Sequence, residues 1–451
     1  MIPPLDPDFL PAVSFNRRYV TALKAAGNAV PLVIGLEREN GLLARCETII
    51  KPEADQETLR YVERMVKFMV WAYGGWKIFA GGPAPVGEYI KSCYAKSGLR
   101  AFDADLMGRV YEQPFEVVCT GFKKVPAARM AAAKIGGHLN GCRIGFDLGA
   151  SDYKVSAVNE GKAVYSEEFP WNPKDQKDPQ YHFDHLNSGL KKAATHLPRV
   201  DAIGGSSAGV IVNNRIMVAS LLRGIPADRF KEASNIFLRI QKEWNIPVEV
   251  ANDGDVTALA GAMSLNAHAM LGVALGSSQA GGYLDPNGCM TGWLSELAFV
   301  PVDYNPAAHA DEWSGDPGVG AQYFSQQAVG RLLPAAGIEL PAGMMLPERL
   351  KEVQALMEKG DKRARKIYET IGVYLGYAIP HYTDFYEFKN MLILGRVTTG
   401  PGVDIILQTA RKLIEQQFPE IADTIVLHVP DEKSRRIGQS VAAASLPAFS
   451  S

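Results

Sequence analysis

Two apolar runs that each break into a turn of glycine and small hydroxylated residues limit this chain's fold most: RIGFDLGAS at 143–151 and MLGVALGSSQAGG at 270–282. An apolar run of that length bounded by glycine is a buried strand in pattern. A small-residue turn at its end brings backbone N–H groups and hydroxyls close enough to hold phosphate oxygens. Between the two lies ANDGDVTALAG at 251–261, where Asp253 and Asp255 stand at the junction of the strand VEVA and a following helix. Two phosphate-gripping turns on separate halves of a chain, with a carboxylate at the cleft between them, point to phosphoryl transfer from a nucleotide.

At 451 residues with 47% hydrophobic content, the chain exceeds one ordinary core and can fill two or three. Residues 1–140 are expected to form an α/β unit of their own. Glu39-Asn40-Gly41 signals a hairpin, Leu59, Val62, Met65, Val66, Met69 and Val70 make one apolar stripe on a helix over 57–73, and two further strands and a helix follow. Residues 141–263 restart the order with a three-strand meander, a helix near 185–196, the buried strand VDAIGGSSAGVIV, a helix over 226–244 and the strand IPVEVAND. Residues 264–451 run from MLGVALG through a hairpin at 285–288, several helices and the strand MLILGR to a small-residue helix, GQSVAAASL, expected to pack back on 141–263. The pattern predicts an α/β protein of two lobes with an additional N-terminal α/β domain.

A net charge of −2 provides no general pull toward nucleic acid or an anionic membrane. No apolar stretch reaches the length of a membrane span, and MIPPLDPDFL lacks the basic-then-apolar order of a secretory signal. Five scattered cysteines without a CxxC spacing suit reduced thiols in a cytosol. The expected location is the cytoplasm, with small-molecule partners, no nucleic acid and no membrane; a homodimer is compatible.

Asp147, at the end of its strand, suits a hydrated Mg²⁺ beside bound phosphates. Asp253 is the candidate general base, while Asp255 suits a helix cap. The turn GRVTTGPG at 395–402 either takes part of a nucleotide or starts a helix. His182 and His185 have a metal-like spacing but no partner pair nearby, so a helix-start pair is the better reading. Asp311, Glu312 and Asp316 form an acidic loop of the kind that is usually solvated, and its Trp313 offers a stacking surface.

Taken in order, these motifs resemble the ROK family of sugar kinases and repressors, within the actin-like, hexokinase-like (ribonuclease H-like) ATPase fold, over about residues 142–451. FDLGAS resembles the first phosphate motif, with Ala150 and Ser151 in place of the usual last two residues. The resemblance implies ATP and Mg²⁺, with Asp147, Gly149, Ser151 and Lys154 on phosphate or metal and Gly276, Ser277 and Ser278 on phosphate. Gly395 and Arg396 would lie in the adenosine turn. It assigns Asp253 as catalytic base and Asn252, Glu296, Gly209 and Asn213 to a sugar-like acceptor. Two departures stand out. Phe299 occupies the position of a zinc-binding histidine and the matching loop, DEWSGDPGVGAQYFS, has no cysteine, so no zinc is expected. A second sugar carboxylate is replaced by Ala321, with Gln322, Asp311 or Glu312 as substitutes. The first 140 residues do not resemble a winged-helix DNA-binding head. A sugar kinase is the expected function; the alternative is a non-catalytic sensor of sugar or nucleotide, and a third reading is an acidic acceptor met by Arg215 or Arg223.

Overall fold

Asn40 takes a left-handed backbone (φ 56°), so the chain reverses over Glu39–Gly41, and the flanking runs pair antiparallel as β1 (Val30–Glu37) and β2 (Leu43–Ile50). In this computed structural model, residues 1–130, 135–149, 151–429 and 432–449 are described, with the backbone alone for 432–437. β3 (Lys77–Gly81) adds antiparallel to β1 and β4 (Glu116–Thr120) parallel to β3, giving the order β2-β1-β3-β4. The helix Gln56–Tyr73 starts where the Asp55 carboxylate accepts from Thr58 N at 2.8 Å. The N-terminal helix, Ala12–Ala26, buries Ala12, Val13, Phe15, Asn16, Tyr19 and Leu23.

A second sheet follows: the meander β5 (Cys142–Leu148), β6 (Asp152–Asn159) and β7 (Lys162–Pro170), then β8 (Ala202–Ser207), the hairpin β9 (Val210–Val212) and β10 (Arg215–Val218), and β11 (Val248–Asn252). The five-stranded order is β11-β8-β5-β6-β7, with β11, β8 and β5 parallel. The single strand expected at VDAIGGSSAGVIV divides after Ser207. The helix expected over 226–244 is interrupted, its main part being Ile236–Trp244. Ile144, Phe146, Val155, Leu190, Ile203 and Phe237 belong to one core. Helix Glu432–Ala444 lies against β5 and β8. It comes so close to Gly204 that a Cβ there would overlap the Ala443 carbonyl oxygen.

A third large sheet has β12 (Met270–Leu275), β13 (Gln279–Leu284), β14 (Asn390–Leu394) and β15 (Val426–His428), in the order β13-β12-β14-β15. The chain divides into two compact units, residues 1–131, 273–281 and 292–427 in one and 132–272, 282–291 and 428–451 in the other. These boundaries differ from divisions at 140 and 263, because sequence periodicity shows elements but not which faces they bury together. Among the described residues, no helix is long and apolar enough to cross a membrane.

Candidate functional site

The parallel register sets Leu148, Ser207 and Asn252 in one row, so three strands end side by side on the edge where α/β sheets gather ligands. Asp147 accepts a hydrogen bond from Ser206 Oγ at 2.6 Å and pairs in register with Lys154 on β6. Burial pushes its carboxyl pKa up, while the Ser206 hydrogen bond and the Lys154 charge pull the other way. Beyond it, Gly149 N donates to the Asp152 carbonyl at 2.9 Å and Gly149 O accepts from the Trp171 indole at 2.9 Å. The exposed Ser151 hydroxyl donates to Asp152 at 3.0 Å, and Ala150 lies outside the described residues.

Asn252 ends β11 and caps the helix Asp253–Leu265: its Oδ1 accepts from Gly254 N at 2.8 Å and its Nδ2 donates to Gly209 O at 2.8 Å. The cap is therefore Asn252, not Asp255, whose carboxylate instead accepts from Tyr283 N at 3.1 Å. The helix therefore begins three residues earlier than a cap at Asp255 would set it. Asp253, the first helical residue, accepts from Gly254 N at 3.0 Å. Burial, and then the neighbouring Asp147 carboxylate, raise its pKa to about 6. Gly209 has φ 110°, and a side chain there would overlap the Val218 carbonyl, so the tight turn carrying the Asn252 contact depends on glycine. Asn213 stands exposed at the tip of the β9–β10 hairpin. Sequence reasoning missed its neighbour Asn214, which donates to Val248 O at 2.8 Å and accepts from Val250 N at 2.7 Å, tying the hairpin to β11. It missed Ser206 as well; neither residue has a signature until the strands are paired.

The other unit holds a second group. Gly276, Ser277 and Ser278 turn between β12 and β13, with Gly276 N donating to Ser278 O at 2.9 Å and both serines exposed. Gly395 lies against the Leu275 backbone, which sets the 395–399 turn beside that one; Arg396 is exposed and its carbonyl accepts from Gln354 Nε2 at 2.9 Å. Glu296 follows Ser295, a buried residue held at φ 49°, a conformation that costs on the order of 1 kcal/mol outside glycine. Ser295 N donates to Ala72 O at 2.8 Å and Glu296 N to Trp71 O at 3.0 Å. These carbonyls sit in the last turn of the helix Gln56–Tyr73, where intrahelical partners run out.

Residues 143–443 match the ROK family. The chain belongs to the ROK family. Its structure is similar to the ROK hexokinase from Thermus thermophilus, at 16% identity and a TM-score of 0.53 over 67% of this chain and 97% of that one. It is also similar to a ROK family transcriptional regulator, a homologue of the E. coli MLC protein, at 18% identity and a TM-score of 0.54 over 68% of this chain and 78% of that one. No curated protein matches the sequence. The fold is thus α/β, of the two-lobed actin/hexokinase-like type, and that fold serves both a kinase and a regulator.

The loop after Glu296 is packed by aromatic rings and buried charges. Phe299 packs its ring 4.2 Å from Trp71 and 5.2 Å from Trp313. Two acids of the loop are not solvated, Asp311 and Asp316 both being 6% exposed, whereas Glu312 is exposed as expected. The Asp311 carboxylate accepts from Trp313 N, Ser314 N and the Ser314 hydroxyl. Asp316 pairs with Lys67 and Arg100, both buried, which also pair with Asp103 and Glu63 respectively. The mutual attraction of those cations and acids offsets the desolvation cost that each would carry if buried alone. Gln322 is buried and bonded to Gln327, and Ala321 is buried. His182 and His185 lie on the helix Pro179–Ala194, with His182 Nε2 against the Pro173 and Leu221 carbonyls. Among the described residues, no group of three or more His, Cys, Asp or Glu side chains is arranged to hold a metal ion. A hydrated Mg²⁺ bound largely by phosphates and water needs only one or two carboxylates, and Asp147 at the end of β5 is an oxygen donor of that kind.

Proposed function

We propose that this ROK protein transfers the γ-phosphoryl group of ATP to a hydroxyl of a sugar-like small molecule in the cytoplasm, with Asp253 as general base. The observation that carries this reading is the environment of Asp253. A carboxylate with a pKa of about 6 is ionised at neutral pH yet basic enough to take a proton from an attacking hydroxyl. Its backbone is fixed by a helix start, and Gly254 N orients its Oδ1. Asp147 would hold a hydrated Mg²⁺, which when bound would supply charge neutralisation on the phosphates. Gly149, Ser151 and Lys154, and separately Gly276, Ser277 and Ser278, contact phosphate oxygens, while Gly395 and Arg396 flank the nucleoside. Asn252, Gly209, Asn213 and Glu296 serve the acceptor. No zinc takes part.

The test is a phosphorylation screen with Mg-ATP across sugars, amino sugars and sugar acids, run on wild type and Asp253→Asn. Turnover of at least one class is expected, reduced by roughly 10²–10⁴-fold in the variant with nucleotide binding retained. Full activity of Asp253→Asn overturns the assignment. The departures at Phe299 and Ala321 favour one other reading, a sensor of the same fold; ATP-induced stabilisation with no product from any acceptor marks that outcome.

A further inference from the structure

β11 ends the five-stranded order β11-β8-β5-β6-β7, so β8 pairs one of its sides and the other is an edge. Pro247 O faces β8, where it accepts from Ile203 N at 3.0 Å. Backbone groups of successive residues in a parallel ladder turn to opposite sides, so those of Val248 and Val250 face the edge. An edge whose N–H and C=O groups lack partners opens locally more easily than the strands behind it. Asp253 follows Val250 by only three residues.

The Asn214 amide occupies that edge. Its Nδ2 donates to Val248 O at 2.8 Å and its Oδ1 accepts from Val250 N at 2.7 Å, the two bonds that one residue of a neighbouring parallel strand would make. The residue is brought there by a two-residue hairpin turn in which Asn213 (φ 50°) and Asn214 (φ 57°) are both left-handed, as a type I′ turn requires. Glycine would satisfy that backbone as well, but asparagine adds a donor and an acceptor. The base of the same hairpin takes hold further along, where Gly209 O accepts from Asn252 Nδ2 at 2.8 Å. β11 is thus gripped at Val248, Val250 and Asn252, directly before the Asp253 carboxylate.

We propose that Asn214 is a positioning residue for the general base: its amide stands in for a neighbouring strand on the edge of β11 and so fixes the backbone from which Asp253 projects. This rests on Asp253 serving as base. Asn214 lies outside the turns proposed to hold phosphate, so its loss acts on kcat rather than on the KM for ATP.

The test compares full-length wild type, Asn214→Gly, Asn214→Asp, Asp253→Asn and the double variant Asn214→Gly with Asp253→Asn in the acceptor screen with Mg-ATP, and follows amide hydrogen exchange over residues 248–254. Asn214→Gly keeps the left-handed turn and removes the amide, while Asn214→Asp keeps only the acceptor for Val250 N. Both should lower kcat about tenfold with the KM for ATP unchanged, and exchange at Val250 should quicken in Asn214→Gly. In the Asp253→Asn background, Asn214→Gly should have no further effect on turnover, since a positioning residue then has no base left to position. A wild-type kcat in Asn214→Gly, or a loss of equal size with and without the Asp253 carboxylate, overturns the inference while wild-type turnover keeps the kinase reading. Full activity of Asp253→Asn overturns the base assignment and the inference with it. No turnover by wild type overturns both.

Discussion

At the scale of single residues, Asp253 joins function to instability. Its pKa lies above the ordinary carboxylate value, so the folded state resists its ionisation: the group favours folding fully below about pH 4, and that contribution is lost as pH rises through about 6. Asp253→Asn should therefore raise the unfolding free energy at pH 7, by up to about 3 kcal/mol, while turnover collapses. Denaturant titration at pH 7 and pH 4 checks this, the difference between variant and wild type shrinking at pH 4. With the Asp253 carboxylate as the proposed general base, kcat/KM should fall about tenfold per pH unit below pH 6 and level off above it. Ser206→Ala removes the hydrogen bond that lowers the Asp147 pKa, and should raise the Mg²⁺ concentration for half-maximal turnover by about tenfold, with acceptor KM little changed. The strand-end placement of Asp147 and Asp253 was legible because an acid just after an apolar run is unusual in sequence. Ser206 was not, since a serine on a buried strand acquires meaning only from the residue paired beside it.

At the scale of elements, the helix Gln56–Tyr73 shows where periodicity misleads. Its sequence has one apolar stripe, yet Glu63, Arg64 and Lys67 on the polar side are buried too. The charges of Glu63 and Lys67 are met by Arg100, Asp103 and Asp316, side chains more than thirty residues away along the chain, which no local pattern connects, while Arg64 pairs with its neighbour Glu63. Lys67→Met should cost about 3–5 kcal/mol by leaving Asp103 buried without its ion-pair partner and Asp316 with Arg100 alone, and adding Asp103→Leu should recover part of it; urea unfolding of both variants measures this. The Ser295 strain belongs to this scale as well, because two helix-end carbonyls hold it in place. On the second sheet, Gly204→Ala should destabilise by about 3 kcal/mol through displacement of the helix Glu432–Ala444, seen as a lower melting temperature.

At the scale of the whole molecule, the family match begins at residue 143, yet residues 1–131 share a compact unit with 273–281 and 292–427. A fragment beginning at residue 132 should consequently lack cooperative unfolding in circular dichroism, because it strips the partners of Asp316, Ser295 and Phe299 from a unit that is built around them. By itself the sequence determined the α/β class, the order of its glycine turns and the acids at strand ends, since these depend on periodicity and on residues within a few positions of each other. Only the tertiary structure decided which charges are buried, what holds Glu296 and Trp313, and where one unit stops. Those properties depend on faces brought together from distant parts of the chain, and a buried charge is stable only beside the particular partner that compensates it.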